Sequence, residues 1–104
     1  MDNLERLRNE IDQLDSELLT LLNRRLELVG KIGALKKSVG LPVRDPTREL
    51  EILHGLTQRN PGPMDDESIF SVFREVLAIA RRHQGESASQ QGTEGAVSDF
   101  RTPE

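Results

Sequence analysis

The first third of the chain carries apolar residues at alternating steps of three and four. Leu4, Leu7, Ile11, Leu14, Leu18 and Leu21 begin the series, and Leu28, Ile32 and Leu35 complete it. That spacing is a heptad seam and predicts one long amphipathic helix. Asp2 or Asn3 can cap it. It is expected to end near Ser38, because Gly40 permits a left-handed turn and Pro42 cannot continue a helix. Roughly 36 residues at 1.5 Å each span about 50 Å, whereas a compact 100-residue domain has a radius of gyration of about 13 Å. The helix must therefore project beyond its own domain with its seam still apolar. A homodimer in which two such helices cover one another is the economical solution. A monomer whose helix kinks at Gly30 and Gly33 is the alternative. Those two glycines also fit close helix packing.

One position breaks the seam. Where the rhythm requires an apolar residue between Leu21 and Leu28, the chain has Arg25. A permanently charged guanidinium on a packing seam is costly unless something anionic meets it. The rest of the chain offers candidates for a pocket around it. Asp45 and Pro46 form a cap and first helical residue for a second helix that fades near Asn60. Pro61-Gly62-Pro63 is a hard break. Asp65, Asp66 and Glu67 suit the start of a third helix. That helix carries Ile69, Phe70, Phe73, Val76, Leu77 and Ala80 at helical spacing and reaches His83 and Gln84. From Gly85 to Glu104 the chain is rich in Gly, Ser and Gln and reads as a disordered tail or linker. The fold class is all-α, with one long and two shorter helices in residues 1–84, paired with a second copy.

Lys36 lies eleven residues after Arg25, about three turns on, so both cations project from nearly one face about 16 Å apart. Arg48 and Glu49 open the second helix behind Asp45. Gln84 falls on the apolar stripe of the third helix, where a polar amide calls for a buried partner. Each has a plainer reading as a solvated or terminal residue, and Arg48 with Glu49 fits an exposed pair. Together they describe a pocket of several cations, one carboxylate and one amide, suited to a small polyanion. Arg8 is seventeen residues before Arg25, about 26 Å along the axis and about 100° round the helix. It cannot share a pocket with Arg25 of its own chain, but in an antiparallel dimer it could reach the partner's.

Composition removes other classes. Without Cys there is no disulfide or thiolate metal site. Without Trp or Tyr, stacking on bases or sugars has little support. A net charge of −4 with no isolated basic stripe argues against nucleic acid as partner. The charged N-terminus and the lack of a long apolar run argue against a signal peptide or a membrane span, and indicate a cytoplasmic protein. His54 and His83 have no partner motif for nucleophilic chemistry or metal binding, and His54 is expected on the surface of the second helix. Gly30-Lys31-Ile32-Gly33 is mid-helix and is not a phosphate loop.

Five stretches, in this order, resemble the all-helical AroQ class of chorismate mutases. They are Leu7-Arg-Asn-Glu-Ile-Asp-Gln-Leu-Asp15, Leu21-Leu-Asn-Arg-Arg25, Ile32-Gly-Ala-Leu-Lys36, Pro42-Val-Arg-Asp-Pro-Thr-Arg-Glu49, and Val72-Phe-Arg-Glu75 through Gln84. The resemblance covers about residues 4 to 84. It implies an intertwined helical dimer that rearranges chorismate to prephenate without a cofactor. It implies that Arg25, with Arg8 from the partner chain, clamps the substrate carboxylates. Lys36 and Gln84 would donate to the ether oxygen, and Glu49, helped by the backbone at Asp45, would hold the ring hydroxyl. Arg48 would support the pocket, and Ile32 and Ile52 would form its apolar walls. Ala80 stands where some members carry a Ser that contacts a carboxylate. Arg81 occupies a position that is often apolar, and either faces solvent or adds charge to the pocket mouth.

Three other readings compete. An isochorismate-pyruvate lyase shares the fold and many site residues, although Glu49 favours the mutase. A noncatalytic regulatory module is a second, associated with or fused to DAHP synthase (the first enzyme of the shikimate pathway) or a prephenate-processing enzyme. The third is a plain coiled-coil dimerisation module, in which Arg25 could become Leu with a gain in stability and no lost activity.

Overall fold

The computed structural model describes residues 2–86 as three α-helices followed by a π-helical turn. Helix α1 spans Asp2–Val39, α2 Pro46–Arg59 and α3 Asp66–Arg81, and the π-turn covers Arg82–Glu86. The expected tail lies, beyond Glu86, outside the described residues.

Each helix ends for a local reason. Gly40 adopts φ 78°, and α1 closes with two bonds: Leu41 N–H donates to the Lys36 carbonyl at 2.8 Å and Gly40 N–H to that of Lys37 at 3.3 Å. This is a Schellman end, one residue beyond the expected Ser38. Helix α2 starts where the Asp45 carboxylate accepts the Arg48 N–H at 3.0 Å, with Pro46 in the first turn. In the following loop the Asn60 side chain donates to the Met64 carbonyl and accepts from the Gly62 N–H. Asp65 caps α3 by accepting the Ser68 N–H at 2.8 Å, and the Ser68 hydroxyl, with that N–H second, holds its carboxyl below the usual aspartate range.

Helices α2 and α3 pack against each other, and the π-turn at the end of α3 crosses α1. The buried apolar residues Ile69, Leu77 and Ala80 all belong to α3. At the crossing, a Cβ on Gly33 would lie 2.6 Å from Gln84 Cγ, so only glycine admits this approach. Helix α1 continues through Gly30 and Gly33 without interruption. The two glycines therefore serve close packing, and the kinked alternative is not seen.

Helix α1 has two distinct apolar faces. The chain's own elements partly or wholly cover Leu22, Leu26, Val29, Gly33 and Lys36. The heptad seam lies elsewhere, with Leu14 60%, Leu28 58% and Leu35 65% exposed. In the last turns the two stripes are about 100° apart, and Arg25 stands between them. The long axis measures 56 Å and the radius of gyration is 16.9 Å, well above the ~13 Å of a compact chain this long. Among the described residues no helix is long and apolar enough to cross a membrane.

Candidate functional site

Among the described residues, side-chain hydrogen bonds from Lys36, Gln84 and Arg81 tie the elements together, and each of these residues was singled out from the sequence. Lys36 Nζ donates to the Val43 carbonyl at 3.0 Å, fastening the end of α1 to the linker. Gln84 Nε2 donates to the Val29 carbonyl at 3.1 Å, fastening the π-turn to α1. Arg81 Nη1 donates to both carboxylate oxygens of Glu49, at 2.9 and 3.0 Å, fastening α3 to α2.

These bonds orient the groups without exhausting them. An ammonium has three donors and a primary amide two, so Lys36 and Gln84 each keep hydrogens for another acceptor. A carboxylate offers about four acceptor positions, so Glu49 retains capacity beside Arg81. The Gln84 amide stays fixed because the π-turn lies against Gly33. A bulkier residue there would push it away.

A groove of about 270 Å³ opens between the three helices. Arg25 of α1 faces it, with Arg48, Glu51, Ile52, Leu56 and Arg59 of α2 and Phe73 of α3. Three guanidiniums against one carboxylate make it a cationic groove with an apolar floor. Arg48 Nη1 lies 3.5 Å from Glu51 Oε1, with both side chains more than half exposed, so that pair contributes well under ~1 kcal/mol.

The candidates fall into four groups. Arg25, Arg48 and Ile52 share the groove. Lys36, Glu49 and Gln84 lie outside its lining and are held by the bonds above. Arg8 and Ile32 are exposed on α1, and Arg8 is far from Arg25 along the axis, as its spacing required. Asp45 acts as the cap of α2, Ala80 is buried in α3, and His54 is exposed.

Two arginines were not assigned their places from sequence. Arg81 does not face away from the other elements but reaches Glu49, and the plainer reading of Arg48 and Glu49 as an exposed pair gives way to Arg48–Glu51 and Arg81–Glu49. Arg59 enters the groove because it follows Arg48 by eleven residues. That is the same three-turn spacing that aligned Arg25 with Lys36, and it was readable in the sequence.

Comparisons with known proteins converge. A family model described as chorismate mutase type II matches residues 7–85. The crystal structure of the Helicobacter pylori chorismate mutase in complex with prephenate aligns with a TM-score of 0.77 and 39% identity, over 86% of this chain and 98% of that one. A chorismate mutase from Thermus thermophilus aligns with a TM-score of 0.74 and 44% identity, over 75% and 98% of the two chains. The chorismate mutase of Methanocaldococcus jannaschii is 33% identical over 77 residues, 74% of this chain and 78% of its own. A bifunctional chorismate mutase/prephenate dehydratase of Aquifex aeolicus is 37% identical over 82 residues, 75% of this chain. The present chain spans less than a quarter of such bifunctional relatives.

Proposed function

Because the chain belongs to the type II chorismate mutase family, we propose that it isomerises chorismate to prephenate, with residues 1–84 as the catalytic unit. The observation that carries this reading is the fixed pair of donors, Lys36 and Gln84, each oriented by a single backbone carbonyl and each with hydrogens to spare.

The reaction is a unimolecular pericyclic step, in which a carbon–oxygen bond breaks as a carbon–carbon bond forms. Arg25 and Arg48 hold the substrate's carboxylates at the groove, and Arg8 reaches in from a partner chain. Clamping both carboxylates selects the compact reactive conformer, which is catalysis by orientation. Charge develops on the ether oxygen as its bond to carbon lengthens. Lys36 and Gln84 donate to that oxygen and so bind the transition state more tightly than the ground state. Glu49 accepts the ring hydroxyl beside Asp45, Ile32 and Ile52 supply apolar walls, and Ala80 lends its backbone neighbourhood without the hydroxyl a Ser would offer. No residue needs to form a covalent intermediate, and no cofactor enters.

The exposed seam supports a dimer in which α1 packs against a second copy, each chain supplying Arg8 to the other's groove. The bifunctional relatives support a prephenate-processing enzyme as associated activity more than DAHP synthase, and a biosynthetic role in the cytoplasm. The lyase reading is separated by product. Purified protein mixed with chorismate is expected to yield prephenate, and with isochorismate no pyruvate. Lys36→Ala and Gln84→Ala should each lower kcat by about 10²–10³-fold. Pyruvate as product would favour the lyase, and no turnover would leave only the noncatalytic readings.

A further inference from the structure

Glu49 and Arg81 lie 32 residues apart, on the first turn of α2 and the last turn of α3. A single guanidinium nitrogen straddles both carboxylate oxygens, and the side chains are only 22% and 33% exposed. Arg48, the neighbour that could have competed for Glu49, turns instead to Glu51. Arg81 is therefore the cation that Glu49 meets among the described residues. Contact through one nitrogen leaves the remaining guanidinium donors uncommitted to the pair, and the carboxylate keeps acceptor positions for a hydroxyl.

We infer that Arg81 is a positioning residue for this site: it fixes the Glu49 carboxylate and cancels its charge so that a dianionic substrate can lie beside it. The inference rests on the proposed mutase reading, in which Glu49 receives the ring hydroxyl. A carboxylate is the right acceptor for a hydroxyl but the wrong neighbour for a molecule with two carboxylates of its own. In a partly buried site that repulsion is weakly screened. Pairing Glu49 with a cation from another helix keeps the acceptor and removes the repulsion. The packing of α2 on α3 then sets the position of the carboxylate, because neither partner can shift without the other.

The test is a double-mutant cycle read in KM and kcat for chorismate, using the full chain, Arg81→Met, Glu49→Gln and the double variant. With Glu49 present, Arg81→Met should raise KM about tenfold or more while kcat falls less. In the Glu49→Gln background, where no charge needs cancelling, the same substitution should change KM by less than about twofold. Arg81→Lys retains the charge but loses the planar guanidinium, and should recover part of the loss. A residue that only supports the fold would cost the same in both backgrounds. Equal KM losses in the two backgrounds, with turnover intact in the unmodified chain, overturn this inference alone. Absence of turnover in the unmodified chain overturns the mutase reading and this inference with it.

Discussion

The two halves of α1 are made of similar residues and live in different surroundings. From Asn3 to Leu21 every residue is exposed, including the whole first part of the seam. From Leu22 onward a second stripe, about 100° round in the last turns, is partly covered, with the chain's own π-turn packed against this half of the helix. The first half thus presents an uncovered apolar seam, while the second is already engaged and carries Arg25 and Lys36. A single heptad pattern cannot distinguish these situations, because helical periodicity records which residues are apolar and not what covers them.

The sharpest way to break that contrast is to charge the exposed half. Leu14→Glu places a carboxylate at the seam of both copies in a two-fold dimer, so the loss of about 1.5–3 kcal/mol per leucine counts twice. Sedimentation equilibrium should then find monomers, with helical circular dichroism reduced. A Leu14→Glu chain that melts and sediments as the original does would refute the dimer.

Complementation is the next largest effect. Arg8→Ala and Arg25→Ala chains should each be inactive. Mixed in equal amounts and allowed to exchange, about half form heterodimers with one intact site, restoring roughly a quarter of the original activity. No recovery would show that Arg8 does not act across the dimer.

Within the engaged half, the two glycines separate packing from propensity. Alanine at either position gains up to ~1 kcal/mol of helix propensity. At Gly30 its Cβ would sit 3.4 Å from His83 Nε2, a contact that a small shift accommodates, so Gly30→Ala should be neutral or slightly stabilising. At Gly33 the 2.6 Å approach to Gln84 Cγ requires displacement, with an overpacking cost of about 1–3 kcal/mol. Thermal melts should place Gly33→Ala below Gly30→Ala, and only the former should lose turnover, through Gln84.

The smallest effect tests α3, whose end carries the π-turn that packs on the engaged half. The bond from Ser68 lowers the Asp65 pKa in the folded chain. A depressed carboxyl stabilises the fold above its unfolded pKa, about 3.9, and that contribution is lost as pH falls through the lower folded value. Melting points of Asp65→Asn, which caps equally well without titrating, should fall less steeply below about pH 4 than those of the unmodified chain.

Much of this was legible in advance. The three helices followed from periodicity and from Asp45, Pro46, Asp65 and Gly40, residues whose chemistry acts within one turn. Arg25 and Gln84 stood out because they were polar at apolar phases, and Lys36 because it lies three turns after Arg25 on nearly the same face. Arg81 did not, because at a helix end a charged residue has an ordinary explanation, and its partner Glu49 is remote in sequence. The covered stripe of Leu22, Leu26 and Val29 was hidden for another reason: beside a stronger seam, a second short apolar run looks like its margin. Gly33 was recognised as a packing site, but the identity of the side chain pressed against it depends on the π-turn, which has no sequence signature here.

The Schellman end of α1 has a further consequence for Lys36. Its carbonyl closes the helix and its ammonium grips Val43, so both ends of one residue are engaged in the same turn. A free lysine side chain loses about 1.5–2 kcal/mol of rotamer entropy when it is fixed. Here much of that freedom is surrendered as the chain folds, before any ligand arrives. Under the proposed mutase reading, an incoming oxygen would meet a cation whose position is already set, and binding would leave little disorder to remove.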